Sequence, residues 1–165
     1  MYLSNIHLRT ARHLLNIGVR EIGILISASR TTVSKLENNI ISLSDMKLGT
    51  RRNIILHEFF KKHGICFPNL YTLKLHPKKF AYLNNTSLTC YQIKSARIIL
   101  NKTQNELASE AEIGISILRR LENKQSFNNI AINNLKNIFE EYGILFPDKF
   151  SIVFKTLVDI QTLKC

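Results

Sequence analysis

The sequence predicts a mainly helical protein made of two tandem copies of one small domain. Three observations support this prediction. Residues 3–38 align without a gap to residues 88–123, apolar residues recur at helical spacing in both segments, and Gly-Ile-x-Phe-Pro follows the last helix of each copy. With 165 residues, of which 45% are hydrophobic, the chain can form two small buried cores.

The repeat keeps one offset of 85 residues over its core, and nine of the 36 aligned positions are identical. The alignment resumes at an offset of 79, where residues 60–68 pair with residues 139–147. A gapless core, a shared ending and one length difference in this order indicate a duplicated domain. We therefore expect a first domain, a linker, and a second domain with an apolar C-terminal arm, at residues 1–76, 77–87 and 88–165.

Helix start and stop signals predict four helices in each copy. Ser4 and the capping boxes Thr89-x-x-Gln92 and Thr103-x-x-Glu106 mark helix starts. A longer helix is expected at about 45–63 and 129–142, ended by a glycine in each copy. The alternating residues after those glycines predict a short β-hairpin or arm that closes each copy.

The net charge of the chain indicates which classes of partner it can attract. With 23 Lys+Arg against 12 Asp+Glu the formal net charge is +11, which attracts polyanions such as nucleic acid or an acidic membrane surface. No apolar run approaches the roughly 18 residues that a membrane span needs, and the N-terminus lacks an apolar signal region. We expect a cytoplasmic protein that has no membrane partner.

The sequence contains none of the motifs that usually carry enzyme chemistry. Three scattered cysteines form no CxxC motif, and the five histidines show no zinc-ligand spacing. No phosphate-binding glycine loop and no nucleophile elbow occur. We expect no catalytic residues, no metal and no cofactor, so the chain is not expected to be an enzyme.

Each copy contains two short predicted helices separated by a turn of three or four residues, the geometry that places one helix in the major groove of DNA. The helices are expected at 19–25 and 30–38, and at 104–111 and 115–123. The second copy reads Thr-Gln-Asn-Glu-Leu-Ala at 103–108, and the first reads Ser-Arg-Thr-Thr-Val-Ser-Lys-Leu-Glu at 29–37. These segments resemble the Cro/lambda-repressor-like (XRE-type) helix-turn-helix family of bacterial and phage regulators.

The resemblance covers most of the chain, in two tandem copies, and it implies two lambda-repressor-like domains. It also implies sequence-specific binding of double-stranded DNA by a repressor-like transcriptional regulator, associated with the nucleoid, whose recognition helices lie near 30–38 and 115–123. Members of the family pair an arginine of the first helix with a glutamate that ends the recognition helix. The matching pairs here are Arg12 with Glu37 and Arg97 with Glu122. We interpret them as structural salt bridges; the alternative is that the arginines contact phosphate.

The chain departs from the family pattern at the turn and on one recognition helix. Ser27 and Glu112 stand where the family has glycine, so a positive φ there would carry strain. Ile115 and Ile117 stand at positions expected to face DNA in the second copy. These isoleucines are expected either to contact thymine methyl groups or to belong to a core or a protein interface.

The DNA-contacting candidates follow from the position of each residue on the recognition helix. In the first copy Arg30, Thr31 and Ser34 are candidates for base edges, and Ser29 and Lys35 are placed for the DNA backbone. Thr32 is a further DNA-binding candidate. In the second copy the base candidates are Ser116, Ile117 and Arg119, with Gln104 and Arg120 as phosphate contacts. Residues 1–78 carry net +8 and residues 79–165 net +3, so the first copy is expected to dominate binding.

Two further expectations concern partners. The alternating segment 144–154 offers a strand edge, which predicts a homodimer formed through the C-terminal arm. The alternative function is a protein-interaction module, such as an antitoxin, an antirepressor or an adaptor, that uses the same fold without tight DNA binding. The isoleucine face of the second copy favours that alternative.

Overall fold

The computed structural model of the protein describes residues 3–38, 49–81, 87–125 and 128–154. In these ranges it is mainly helical, with eight helices and four short antiparallel strands. The chain divides into two compact units, Met1–Lys79 and Phe80–Cys165. None of the helices in the described ranges has the length and apolar composition that crossing a membrane requires.

The first unit contains four helices followed by two strands. They are α1 (Asn5–Leu14), α2 (Val19–Leu25), α3 (Arg30–Asn38), α4 (Thr50–Lys62), β1 (Ile65–Asn69) and β2 (Thr72–Leu75). The second unit repeats this order. Its elements are α5 (Cys90–Ile99), α6 (Gln104–Glu110), α7 (Ile115–Glu122), α8 (Asn129–Glu141), β3 (Ile144–Leu145) and β4 (Ser151–Phe154).

The predicted capping boxes are present. At the start of α5 the Thr89 hydroxyl accepts from the backbone N–H of Gln92, whose side chain accepts from the N–H of Thr89. Thr103 and Glu106 form the same reciprocal pair at the start of α6. Ser4 caps α1, where the His7 side chain takes the place of the usual Glu or Gln.

The cores of the two units use equivalent positions. In the first unit the fully buried apolar side chains include Leu8, Ala11, Ile22, Val33, Leu56, Phe60 and Leu73. Their equivalents in the second unit are Ile93, Ala96, Leu107, Leu118, Leu135, Phe139 and Ile152, which are buried to the same degree. Each core therefore includes a fully buried aliphatic residue of the third helix, Val33 or Leu118, and in the second unit Leu121 is buried as well.

A glycine ends the long helix of each unit and leads into a hairpin. Gly64 has φ +86° and Gly143 has φ 73°, the left-handed conformation that glycine adopts without a Cβ penalty. β1 then pairs antiparallel with β2, with Ile65 opposite Leu75. β3 pairs antiparallel with β4, with Ile144 opposite Phe154. The predicted hairpins are confirmed, although β3 has only two residues.

Three predicted boundaries differ from the structure or lie outside it. α4 begins at Thr50 after Gly49, and residues 45–48 of the helix predicted from position 45 lie outside the described ranges. Within the predicted linker, Phe80 is buried and its ring meets Tyr91 edge-on at 4.9 Å, both in the second unit. The C-terminal arm beyond Phe154 also lies outside the described ranges.

Candidate nucleic-acid interface

In each unit the second and third helices are joined by four residues that make the same turn. Ser27 and Glu112, the equivalent positions in the two turns, both have φ 51°. The turn is closed by a hydrogen bond from the Ala28 N–H to the carbonyl oxygen of Gly23, at 2.8 Å. Both non-glycine turn residues thus adopt the left-handed conformation, which costs an L-residue of this type about 1 kcal/mol or more.

The third helix of the first unit is fixed to the first helix by a two-point ion pair. Arg12 donates from Nε to Glu37 Oε1 at 2.6 Å and from Nη2 to Glu37 Oε2 at 2.8 Å. Its Nη1 donates to the carbonyl oxygen of Ile17 at 3.0 Å. Both charged side chains are buried, so the guanidinium faces the protein interior.

The second unit repeats this arrangement. Arg97 donates from Nε to Glu122 Oε1 at 2.6 Å and from Nη2 to Glu122 Oε2 at 3.0 Å, and its Nη1 donates to the carbonyl oxygen of Lys102. The orientation of each third helix is therefore set by a forked contact in addition to apolar packing, and such a contact admits little rotation.

A second cation accompanies each ion pair. Burial lowers the pKa of Arg9, and the attraction of Glu37 opposes that shift. Burial likewise lowers the pKa of Lys94, at the equivalent position, against the attraction of Glu122. Each buried carboxylate therefore lies in the field of two positive side chains.

The predicted contact residues of the first unit lie together along α3. Arg30, Thr31, Thr32 and Lys35 are exposed and Ser34 is half-buried, whereas Val33 points into the core. Ser29 precedes the helix, and its hydroxyl accepts from the Thr32 N–H at 3.0 Å, so this hydroxyl also stabilises the helix start. The outward surface of α3 is thus a short strip of hydroxyl and cationic side chains.

The outward surface of α7 is less polar. Ser116, Arg119 and Arg120 are exposed, while Ile115 and Ile117 are half-buried. The isoleucines are accordingly neither core residues nor fully solvated.

Gln104 belongs to a hydrogen-bonded chain inside the second unit. Its Nε2 donates to Glu122 Oε2 at 2.8 Å, and its Oε1 accepts from Arg119 Nε at 3.4 Å. The amide predicted to touch phosphate therefore links Arg119 to the buried ion pair. The first unit has Val19 at this position and has no such link there.

Two features of the first unit, both of which involve arginines, were not predicted from the sequence. Arg52 of α4 donates to the carbonyl oxygens of Ile26 and Ser27, both at 3.0 Å. It thereby provides hydrogen bonds to carbonyl groups that follow the C-terminal end of α2. Arg20 of α2 lines a surface cleft together with Arg30 of α3. Nothing in the spacing of these residues distinguishes them from ordinary solvated arginines, because both contacts depend on the tertiary fold.

No group of three or more His, Cys, Asp or Glu side chains is placed to hold a metal ion within the described ranges. Comparison of the chain with protein-family models, with curated proteins and with solved structures found no match.

Proposed function

We propose that the protein binds double-stranded DNA with sequence preference and acts as a repressor-like transcriptional regulator. The single observation that carries this proposal is the outward strip of α3, on which Arg30, Thr31 and Lys35 are exposed. This strip lies on a helix whose orientation is fixed by the Arg12–Glu37 pair. A helix fits the major groove of B-DNA, which is about 12 Å wide, and a rigidly held helix can present side chains in register with base edges.

The residue types on α3 match the chemistry of the major groove. An arginine such as Arg30 can donate two hydrogen bonds to guanine, and the methyl group of Thr31 can contact a thymine methyl. Ser29 and Lys35 lie at the margins of the strip, where backbone phosphates approach a bound helix. Phosphate contacts would set the position of the helix, and the central side chains would read the sequence.

The distribution of charge favours the first unit as the stronger binder. Residues 1–78 carry net +8 and residues 79–165 net +3, and the charged residues of the α7 strip include Arg119, which is already bonded to Gln104. Long-range attraction to the polyanion would therefore act mainly on the first unit.

A gel-shift assay with a duplex selected from a random library tests the proposal. We expect Arg30→Ala to weaken binding to the selected duplex by about 10- to 100-fold, because a lost bidentate base contact costs about 1–3 kcal/mol. Arg119→Ala should cause a smaller loss. The control is Lys61→Ala, which changes an exposed residue near the C-terminal end of α4 and should change affinity less than about twofold.

Equal losses for Arg30→Ala and Arg119→Ala, or a larger loss for Arg119→Ala, would contradict the dominance of the first unit. Failure to select any duplex, even in dilute buffer, would contradict DNA binding itself. Homodimerisation through the strand edge of residues 144–154 stays a prediction.

A second candidate function is a protein-interaction module, such as an antitoxin, an antirepressor or an adaptor. The observation that favours it is the half-buried isoleucine pair of α7, together with Ile130 of α8, which is 76% exposed. Apolar side chains on a solvated surface are typical of protein contacts. The same selection and gel shift separate the two functions, since an interaction module without tight DNA binding would yield no selected duplex to retard.

A further inference from the structure

We propose that a cleft of the first unit binds a phosphodiester group of the DNA backbone through Arg20; this rests on the proposed function. The cleft, about 630 Å³ in volume, is lined by Arg20, Gly23 and Ile24 of α2 and by residues 27–30. We name it the turn cleft. Arg20 was not among the residues predicted to contact DNA, and its role here is to hold the backbone while α3 reads bases.

The walls of the turn cleft are rigid because α2 and the turn approach closely. A Cβ added at Gly23 would lie 2.6 Å from the carbonyl oxygen of Ala28, which shows how little space separates them. The left-handed Ser27 and the hydrogen bond from Ala28 to Gly23 fix the path of the turn. Arg20 and Arg30, one on each helix, both line this concavity, whose backbone path these contacts fix.

The lining of the turn cleft suits an anion. It contains two exposed arginines and the serines at 27 and 29, and the described residues that line it include no carboxylate. A guanidinium presents several N–H donors in a planar fork that matches phosphate oxygens. Ile24 at the same cleft is 73% exposed, which offers an apolar contact to a deoxyribose next to the phosphate. This combination favours a sugar–phosphate backbone over free phosphate.

The second unit provides an internal comparison, because its turn has the same backbone and different chemistry. Asn105 replaces Arg20, Ile115 replaces Arg30, and Glu112 replaces Ser27 while keeping the same φ of 51°. The equivalent surface therefore has no arginine at these positions and gains a carboxylate that repels phosphate. The anion-binding chemistry of the turn cleft therefore comes from these side chains and not from the backbone that the two turns share.

Salt dependence of binding tests this proposal on the selected duplex. Each neutralised phosphate contributes about −0.9 to the slope of log affinity against log salt. We expect Arg20→Gln to reduce the magnitude of that slope by about one and to leave the ranking of duplex sequences unchanged. The matched control, Lys61→Gln, removes one exposed positive charge outside the turn cleft and should leave the slope within about 0.3 of the parent value.

Methylphosphonate scanning identifies the contacted group directly. Each charged phosphate of the duplex is replaced in turn by a neutral methylphosphonate. At one position the replacement should weaken binding by the parent protein, and at the same position it should not weaken binding by Arg20→Gln. An unchanged slope in Arg20→Gln would overturn the proposal, and so would a changed ranking of sequences, which would make Arg20 a base-reading residue.

A titration with inorganic phosphate separates failure of this proposal from failure of DNA binding. If no duplex binds, the side-chain Nε–H resonances of Arg20 and Arg30 are followed during addition of phosphate, with chloride as the ionic-strength control. Resonance shifts that phosphate causes and chloride does not would support the anion site and would reject DNA as its ligand. The absence of phosphate-specific shifts would overturn the site as well.

Discussion

Glu37 and Glu122 are buried carboxylates, and each is stabilised by two nearby cations and a forked hydrogen bond. Taking such a charge out of water costs several kcal/mol, which the contacts to Arg12 and Arg97 offset. The net gain in stability is small for this reason, but the penalty for removing one partner is large. The pairs therefore matter chiefly because they fix the third helix in one orientation.

Glu122→Gln should lower the free energy of unfolding of the second unit by about 3 kcal/mol, because it leaves the Arg97 guanidinium buried without its counter-charge. Urea denaturation followed by circular dichroism measures the loss. The control is Glu140→Gln, which breaks an exposed pair with Lys136 at 3.7 Å. That change should cost less than about 0.5 kcal/mol. Equal effects would show that the buried pair does not anchor α7.

His7 gives the first unit a pH-dependent stability. Burial, reinforced by the nearby positive field of His57, lowers the pKa of His7 from 6.5 to about 3. The folded state therefore keeps His7 neutral while the unfolded chain takes up a proton below about pH 6.5. The unfolded state then binds more protons, so stability falls as the pH drops from 6.5 towards 3, by at most about 1.4 kcal/mol per pH unit.

His7→Gln should reduce the pH dependence of the free energy of unfolding without disrupting the capping box at the start of α1. Glutamine is the residue that the second unit has at the equivalent position, Gln92, where it completes the same capping box. Urea denaturation at about pH 6.5 and pH 4.5 should show about 1–2 kcal/mol less acid destabilisation in the variant than in the parent protein. An identical acid sensitivity would mean that His7 is protonated in the folded state.

At the scale of elements, the sequence predicted the short helices well because capping boxes mark helix starts in the second copy and the gapless alignment transfers them to the first copy, where Gly18 before α2 provides no cap. The predicted bounds of α2 and α3 match the structure, and the capping boxes at Thr89 and Thr103 are formed as expected. The start of α4 was less predictable. Gly49, the residue before it, has no side chain that could cap the helix, so no capping residue marks that boundary.

The left-handed turn residue allows a test at this scale. Glu112→Gly should raise the free energy of unfolding of the second unit by about 1 kcal/mol, because glycine adopts φ 51° without a Cβ penalty. Glu112→Ala is the control, since it removes the carboxylate and keeps the Cβ, and it should give no comparable gain. Thermal unfolding of both variants measures the difference, and equal stabilisation would attribute the gain to loss of charge instead.

At the scale of the whole molecule, the constant offset predicted two copies of one domain, and the structure shows equivalent buried residues and equivalent ion pairs in both units. The turn cleft could not be predicted in the same way. Arg20 and Arg30 lie ten positions apart on different helices, and only the folded turn places both at one concavity. Local patterns therefore predicted the scaffold, while the surface chemistry needed the tertiary structure.

The positive charge of the chain predicts a steep salt dependence for DNA binding. If about six phosphates are neutralised in the complex, log affinity should fall against log salt with a slope of about −5. Fluorescence anisotropy with a labelled selected duplex at several salt concentrations measures this slope. A slope near zero would mean that the net charge of +11 does not act on DNA.

The two forked ion pairs have a consequence for how the copies diverge. Because Arg12 and Arg97 hold their third helices from the inward side, exposed residues such as Thr31 and Ser116 take no part in these two ion pairs. Exchanging such outward residues should leave both ion pairs in place, so the two units can carry different surface chemistry on the same arrangement of helices.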